Sequence, residues 1–336
     1  MQTFDEQSIA QVEKALSASK KIVIVAHKSP DGDSIGSSVG LYHYLVKKGM
    51  EVNICHPDPA PYFLDWMTGI DKIKNTEEDP DEVNSLIASA DLIFCLDFNT
   101  MSRTGKLADQ LINASATKIV IDHHLHPSDE FDIVFSETSS CSTAQLIVDF
   151  IDAMGDTTLI DATIGEALYT GIMTDSGSFR FPSVSAHTHE VIATLIKGGV
   201  QPYKVHEAVF DTNTFDKLRL RSYAINDKME IIEDSKTAII HLEKSELERF
   251  NYVKGDTEGL VNVGLSIIGV KKSIFLMEGD GIIKISFRSK GEDNPVNVMA
   301  NTYFGGGGHA NASGGMWPGT MEEAITKIKS VLPEFD

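Results

Sequence analysis

The chain has 336 residues, 42% of them hydrophobic and 23% charged, which is enough to build a packed core in each of two domains. Its 49 acidic and 29 basic residues give a formal net charge of −20, which excludes binding of long duplex nucleic acid through a general basic surface. Three isolated cysteines argue against a disulfide framework, and no apolar stretch is long enough to span a bilayer. We therefore expect a cytoplasmic protein without a membrane partner.

The first half of the chain alternates between predicted strands and predicted helices. Apolar runs bounded by polar residues or glycine predict strands at Ile22–Ala26, Glu51–Ile54, Leu92–Leu96 and Lys118–Ile121. Helical periodicity predicts helices at Asp5–Ala18, Ile35–Lys48, Lys106–Asn113, Ser142–Ala153, Asp161–Met173 and Ser185–Lys197. Because strands and helices alternate, the predicted fold class is α/β, with a mostly parallel sheet and helices on both faces.

The second half is predicted to form a smaller α/β domain. Phe215–Asp227 has the pattern of a charged amphipathic helix, which suits a connector, and two hairpins follow, with turns at Asp234-Ser235 and Glu278–Gly281. A glycine-rich stretch then precedes a final helix at Met321–Val331. The predicted division is an N-terminal domain at 1–190, a helical connector at 191–227 and a C-terminal domain at 228–336.

Four apolar runs lead into residue types that bind divalent metal ions. These residues are His27, Asp31 and Asp33 after the first run, Asp97 after the run at 92–96, Asp122, His123 and His124 after the run at 119–121, and Asp175 after the run at 168–173. Ligands bind outside the carboxyl ends of the strands in an open α/β sheet, so these side chains are predicted to meet at one place. Imidazole with several carboxylates suits two divalent cations and the hydrolysis of a phosphate ester.

Each of these segments also has a purely structural interpretation. Asp31-Gly32-Asp33 is a common turn before a helix, Asp97 could cap a loop, and Asp175 lies in an ordinary turn sequence. Two adjacent histidines behind an acid, His123 and His124, are a rarer pattern. The complete set in this order is stronger evidence for a metal site than any of its parts.

The four segments resemble the motifs of the DHH phosphoesterase superfamily, namely H-x-x-x-D-x-D, a strand-terminal Asp, D-H-H and T-D-S-G. The later segments Ile285–Ser289 and Gly305–Gly315 resemble the DHH-associated C-terminal domain. The resemblance covers nearly the whole chain. It implies that residues 1–190 form a metal-binding catalytic domain and that residues 228–336 bind the substrate.

The resemblance also implies a role for each residue in a site for two metal ions. The implied ligands are His27, Asp31 and Asp97 for one ion and Asp33, Asp97, His123 and Asp175 for the other. Asp97 would then bridge both ions, Asp122 would orient the site, and His124 would lie close to the phosphate, which makes these three the implied catalytic residues. Such carboxylate-rich sites suit two Mn²⁺ ions, with Mg²⁺ or Co²⁺ as alternatives, better than a closed zinc site.

Substrate contacts are implied mainly in the C-terminal domain. Glycine backbone N–H groups can approach a phosphate closely, and an arginine can bind a terminal phosphate through two parallel hydrogen bonds. The alternative is a flexible loop beside a solvated arginine. The resemblance favours substrate binding by Arg288, Ser289, Gly306, Gly307, Gly308 and His309, with Arg103 as a further phosphate contact from the first domain.

The implied activity is hydrolysis of short oligoribonucleotides to mononucleotides, with dephosphorylation of adenosine 3′,5′-bisphosphate as a second activity. Three alternatives stay open: a phosphodiesterase for cyclic or linear dinucleotides, an exopolyphosphatase or pyrophosphatase, and a nucleotide-sensing protein without turnover. The expected partners are short oligoribonucleotides or small nucleotides. A homodimer stays open as an assembly.

Overall fold

The computed structural model describes residues 4–291 and 293–335, and the chain divides into two compact units between Thr212 and Asn213. Each unit contains one six-stranded sheet. The predicted fold class is confirmed: the N-terminal sheet is parallel and flanked by helices, and the smaller C-terminal unit is also built from strands and helices. None of the described helices is long and apolar enough to cross a membrane.

The N-terminal sheet consists of parallel strands in the order β3-β2-β1-β4-β5-β6. The strands are β1 (Ile22–Ala26), β2 (Val52–His56), β3 (Ile73–Asn75), β4 (Leu92–Leu96), β5 (Thr117–Asp122) and β6 (Ile133–Ser136). Strands β2 and β3 extend the sheet from β1 on one side, and strands β5 and β6 extend it from β4 on the other. The carboxyl ends of these two neighbouring strands therefore form the crevice at which such sheets bind ligands.

The helices of this unit cover both faces of the sheet. They are α1 (Glu6–Ala18), α2 (Gly32–Lys47), α3 (Pro80–Ala88), α4 (Ala108–Asn113), α5 (Thr143–Ala153), α6 (Ala162–Asp175), α7 (Ala186–Lys197) and α8 (Pro202–Phe210). Alternate strand residues point to opposite faces. Ile22 and Ile24 join the core that contains residues of α1, α2, α5 and α6, whereas Val23 and Val25 join the core that contains residues of α3 and α4. This two-sided burial explains why the strands are continuous apolar runs.

Helices α2 and α6 run antiparallel and approach each other closely. A Cβ at Gly36 would lie 2.4 Å from the carbonyl oxygen of Ala167, so only glycine fits there. A Cβ at Gly32 would likewise lie 2.2 Å from Oγ1 of Thr174. The close packing brings the C-terminal end of α6 beside the N-terminal end of α2.

Two of the predicted helices begin two or more residues away from their predicted start. Helix α2 begins at Gly32 rather than Ile35, because the Asp31 carboxylate accepts hydrogen bonds from the backbone N–H groups of Asp33 and Ser34 and caps the helix there. The helix predicted at Lys106–Asn113 is an α-helix only from Ala108. A 3-10 segment precedes it, and Gly105 interrupts that segment with φ of 57°.

The C-terminal unit has a mixed sheet in the order β11-β12-β10-β9-β8-β7, in which β8 and β9 are parallel and the other neighbours antiparallel. Both predicted hairpins are present. The elements are α9 (Phe215–Asp227), β7 (Met229–Ile232), β8 (Thr237–Leu242), α10 (Lys244–Arg249), α11 (Leu260–Leu265), β9 (Lys272–Glu278), β10 (Ile283–Ser289), α12 (Asn297–Phe304), β11 (Gly307–His309), β12 (Ala312–Trp317) and α13 (Met321–Val331).

The residues predicted as a connector are mostly helical and divide between the two units, with the end of α7 and all of α8 in the first and α9 in the second. Part of the glycine-rich stretch is a short edge strand, β11, rather than a loop. A Cβ at Gly306 would lie 1.8 Å from the carbonyl oxygen of Gly314, so the backbone of this stretch passes closer to β12 than any side chain would allow.

Candidate metal centre

His27 and Asp97 follow the two central strands of the N-terminal sheet. Strands β1 and β4 pair with Ala26 opposite Leu96, so the next residues emerge side by side. Nε2 of His27 lies 3.2 Å from Oδ2 of Asp97, and both side chains are buried. Asp97 has φ of 63°, a left-handed conformation that is uncommon for residues other than glycine. Such a backbone at the end of a central strand is typical of a functional site.

The first turn of α2 contributes two carboxylates with different environments. Asp31 caps the helix and keeps about half of its side chain exposed, and its Oδ2 lies 3.8 Å from Nε2 of His27. Asp33 is almost completely buried. Its Oδ2 lies 3.9 Å from Nε2 of His123, so the two aspartates face different histidines of the centre.

Strand β5 ends at Asp122 and delivers two imidazoles. Nδ1 of His124 lies 2.7 Å from Oδ1 of Asp122, whose side chain is fully buried. Nε2 of His123 lies 3.5 Å from Oδ1 of Asp97 and 3.6 Å from Oδ2 of Asp175, the last residue of α6. The close packing of α6 on α2 is what brings Asp175 to this place.

The structure therefore brings all the predicted metal-ligand side chains together. Within the N-terminal unit, three sets of side chains each have one ligand atom per residue within 4.8 Å of the others. These sets are His27, Asp31 and Asp97; Asp33, His123 and Asp175; and Asp97, Asp122 and His124. Asp97 belongs to two sets and has one oxygen toward His27 and the other toward His123. The assignment of each residue to an ion stays a prediction.

Negative charge is concentrated in this buried centre. Burial, together with the charges of Asp97 and Asp175, raises the pKa of Asp33 well above its usual range. Burial alone would lower the pKa of His27, but the hydrogen bond to Asp97 and the charge of Asp31 raise it to about 9. Burial also lowers the pKa of His123, but the charges of the neighbouring carboxylates outweigh it, so the pKa of His123 is raised as well. Several carboxylates that favour nearby positive charge are the environment a divalent cation needs.

The donor set fits bound metal ions in two further respects. Oδ2 of Asp122 is buried and has no hydrogen-bond partner among the described residues. A buried carboxylate oxygen without a partner is unfavourable, and the positive charge of ions bound nearby would compensate it. The three sets contain carboxylates and imidazoles but no cysteine, which suits Mn²⁺ or Mg²⁺ rather than a structural zinc ion.

One segment of the centre was not predicted from the sequence. The backbone N–H groups of Thr143 and Ala144, at the start of α5, donate to the two carboxylate oxygens of Asp33 at 2.7 and 2.8 Å. The carbonyl oxygen of Ser140 lies 3.3 Å from Nδ1 of His123. The pattern Ser-x-Ser-Thr before an apolar helix predicts only an ordinary N-cap, which Ser142 provides. Nothing in the local sequence distinguishes this helix start from any other.

Arg103 lies in the 3-10 segment after β4. Its backbone carbonyl oxygen accepts a hydrogen bond from the N–H group of Lys28 at 2.9 Å, which places this segment beside the residue that follows His27. The structure thus puts Arg103 close in the fold to the metal centre. A contact between its guanidinium group and phosphate stays a prediction.

The predicted substrate residues of the C-terminal unit lie at one end of its sheet. Arg288 of β10 and His309 of β11 both pair with Ala312 of the intervening strand β12, so they are two strands, or roughly 10 Å, apart. Nδ2 of Asn311 donates to Oγ of Ser289 at 2.9 Å and ties the glycine-rich stretch to the end of β10. These residues form one local cluster, and their contact with a substrate stays a prediction.

Comparison with known families gives two matches that together span most of the chain. Residues 21–172 match the DHH family, N-terminal domain, and residues 238–335 match the DHHA1 domain. The first match contains the metal-centre residues from His27 to His124, and the second contains Arg288 and the glycine-rich stretch.

Individual relatives are similar over nearly their whole length. The bifunctional oligoribonuclease and PAP phosphatase NrnA of Thermus thermophilus is 30% identical over 97% of this chain and 93% of its own. The protein of the same name from Bacillus subtilis is 26% identical over 90% of each chain. The crystal structure of an exopolyphosphatase-related protein from Bacteroides fragilis is 40% identical, covers 98% of this chain and 97% of its own, and superposes with a TM-score of 0.95.

Proposed function

Because the chain belongs to the DHH phosphoesterase family, we propose that it is a Mn²⁺-dependent hydrolase that degrades short oligoribonucleotides to mononucleotides. The observation that carries the proposal is the set of carboxylates and imidazoles that converge around Asp97 at the carboxyl ends of β1, β4 and β5. A second activity, removal of the 3′-phosphate of adenosine 3′,5′-bisphosphate, is proposed from the two NrnA relatives, which are described as bifunctional.

The residues would hold two ions as follows. One ion would be held by His27, Asp31 and Asp97, and the other by Asp33, Asp97, His123 and Asp175. When bound, such a pair of ions supplies an activated water molecule and stabilises charge on the phosphate oxygens. Mn²⁺ is proposed over Zn²⁺ because the ligands are mainly carboxylates, and Mg²⁺ or Co²⁺ are the alternatives to be tested.

Asp122 and His124 form a pair in which Asp122 orients the imidazole of His124 toward the substrate phosphate. The short contact of 2.7 Å between Oδ1 of Asp122 and Nδ1 of His124 fixes the plane of the imidazole ring. Nε2 of His124 is then the ring atom that can form a hydrogen bond with a phosphate oxygen. Asp122 is fully buried, so it acts through His124 and not on the substrate itself.

The net charge of the protein supports a short substrate. The protein carries a net charge of −20, so a nucleotide chain must be held by local contacts and not by a general attraction. We propose that these contacts come from Arg288, Ser289, Gly306, Gly307, Gly308, His309 and Arg103. Arg288 can bind a phosphate through two parallel hydrogen bonds, and the glycine backbone can approach one closely.

A second candidate function is hydrolysis of polyphosphate or pyrophosphate. It is favoured by one observation, the 40% identity to a protein described as exopolyphosphatase-related. The same chemistry at the same metal centre would serve either substrate. The nucleotide function is preferred because the names of the two NrnA relatives state an activity, whereas the Bacteroides fragilis protein is described only as related to an exopolyphosphatase.

A panel of substrates tests the proposal directly. The metal-stripped protein is reloaded with Mn²⁺ and assayed on di- to pentanucleotides, adenosine 3′,5′-bisphosphate, cyclic di-AMP, pyrophosphate and polyphosphate. The expected result is the highest kcat/KM on the short oligoribonucleotides. A higher value on cyclic di-AMP or polyphosphate would replace the proposed substrate, and binding without turnover on the whole panel would indicate a nucleotide sensor.

A further inference from the structure

Thr143 contacts two carboxylates of the metal centre at once. Its hydroxyl group donates to Oδ1 of Asp97 at 3.0 Å, and its backbone N–H donates to Oδ2 of Asp33 at 2.7 Å. Thr143 is fully buried, and both aspartates are nearly so. One residue at the start of α5 thus links a carboxylate from the end of β4 to a carboxylate from the first turn of α2.

The hydroxyl group of Thr143 contacts the Asp97 oxygen that faces His123. Oδ2 of Asp97 is 3.2 Å from the His27 imidazole, whereas Oδ1 is 3.5 Å from that of His123. Rotation of the carboxylate about its last bond would exchange or misplace these two oxygens. A donor fixed at 3.0 Å from Oδ1 opposes that rotation.

The position of the hydroxyl group is itself well determined. Thr143 is the first residue of α5, and the Ser142 side chain caps the helix by accepting from the N–H group of Gln145. The backbone N–H groups of Thr143 and Ala144 hold Asp33 through both of its oxygens. The helix start therefore cannot shift without disturbing Asp33, and the hydroxyl group of Thr143 is carried on this fixed frame.

We propose that Thr143 is a positioning residue that holds the Asp97 carboxylate in the orientation needed to share its two oxygens between two metal ions. The inference rests on the proposed two-ion function. It predicts that loss of the hydroxyl group alone weakens binding of whichever ion binds second. Loss of a partner that orients a metal ligand typically lowers metal affinity by about ten- to a hundredfold.

The informative variant is Thr143→Val, which has nearly the same shape and retains the backbone N–H group that holds Asp33. Thr143→Ser keeps a hydroxyl group at this position and should therefore behave like the wild type. Thr237→Val is the matched control, because Thr237 is also fully buried and its hydroxyl group donates to the carbonyl oxygen of Ser235 in the C-terminal unit. Thermal unfolding of each metal-free protein shows whether it is folded.

The measurement is Mn²⁺ binding to the full-length, metal-stripped proteins, by calorimetry for the affinities and by electron paramagnetic resonance for coupling between the ions. Wild type, Thr143→Ser and Thr237→Val should bind two coupled ions. Thr143→Val should bind the second ion about ten- to a hundredfold more weakly and lose the coupled signal at equal total Mn²⁺.

Two results would overturn the inference. One is a Thr143→Val protein with wild-type affinities and the wild-type coupled signal, whatever its hydrolytic rate. The other is a wild-type protein that does not bind two ions, which would remove the proposed function as well. A wild-type protein that binds two coupled ions but hydrolyses none of the substrates would contradict the proposed function alone and leave the role of Thr143 in place.

Discussion

His27 and Asp97 leave adjacent parallel strands at the same level of the sheet, with Nε2 of His27 3.2 Å from Oδ2 of Asp97. The other oxygen of Asp97 lies 3.5 Å from Nε2 of His123. Asp97 is thus the residue through which the two halves of the metal centre are joined. Most of the behaviour expected of the protein follows from this shared position.

Substitution of Asp97 should therefore damage the centre more than substitution of His27. In the proposed assignment, Asp97→Ala removes a ligand from both ions, whereas His27→Ala removes one ligand from one ion. Mn²⁺ content per chain and kcat on a dinucleotide should fall further for Asp97→Ala, and the double variant should be little worse than Asp97→Ala, since the ligands act as a unit. An Asp97→Ala protein with near wild-type turnover would show that Asp97 is not shared.

Activity should fall steeply as the RNA becomes longer than a few nucleotides. The protein has a net charge of −20, so an added phosphate beyond the local contacts gains no general electrostatic attraction from the protein. The measurement is kcat/KM for single-stranded RNAs of increasing length at fixed ionic strength. Equal rates on long RNA and on dinucleotides would contradict the assignment of binding to a few local groups.

Arg288→Ala should raise KM on a dinucleotide about ten- to a hundredfold, because charge-assisted hydrogen bonds contribute about 1.5–3 kcal/mol. Mn²⁺ content should stay normal, since Arg288 belongs to the C-terminal unit and the predicted metal ligands to the N-terminal one. Arg249→Ala is the control: this exposed arginine of the same unit stacks on Phe250 and has no predicted substrate contact. Unchanged kinetics of Arg288→Ala would exclude Arg288 from substrate binding.

His56 should make the metal-free protein sensitive to mild acid. Burial, with a smaller effect of the His27 charge, lowers its pKa to about 3, against about 6.5 in the unfolded chain. The unfolded state thus binds the extra proton first, so the contribution of His56 to the free energy of unfolding falls as the pH drops below about 6.5, by up to roughly 1.4 kcal/mol per pH unit.

The variant that tests this is His56→Gln, which cannot take up the proton. Denaturant unfolding in the presence of a chelator, at several pH values between 5 and 8, should show a shallower loss of stability below pH 6.5 in the variant than in wild type. His56 contacts Oγ of Ser38 at 3.0 Å, so a constant offset between the two proteins is also expected. Identical slopes would show that His56 does not couple folding to pH.

Much of the fold follows from patterns that the sequence states clearly. The predicted bounds of β1 and β4, Ile22–Ala26 and Leu92–Leu96, match the structure, because strands buried on both faces are continuous apolar runs. Strands β3 and β6 were not predicted. Strand β3 has three residues, of which only Ile73 is strongly apolar, and the apolar run of β6 at 133–135 is shorter than the runs of about four to eight residues that indicate a strand.

The convergence of the candidate ligands that follow strands, such as His27, Asp97 and His123, could also be predicted, because parallel strands end at the same edge of the sheet. The supporting contacts could not. Thr143 and Asp33 are 110 residues apart, and the bond between them depends on how α5 packs beside α2. The approach of Asp175 likewise depends on glycine-mediated packing of α2 on α6, for example at Gly36, which local sequence patterns do not reveal.

The central claim is that two Mn²⁺ ions held around Asp97 are required for hydrolysis. The most direct test is a titration of the metal-stripped protein with Mn²⁺, in which bound ions per chain and dinucleotide hydrolysis are measured on the same samples. The account predicts no activity without metal, and activity that rises with occupancy of the second site to a plateau at two ions per chain. Full activity in the metal-stripped protein, or a plateau at one bound ion, would contradict it.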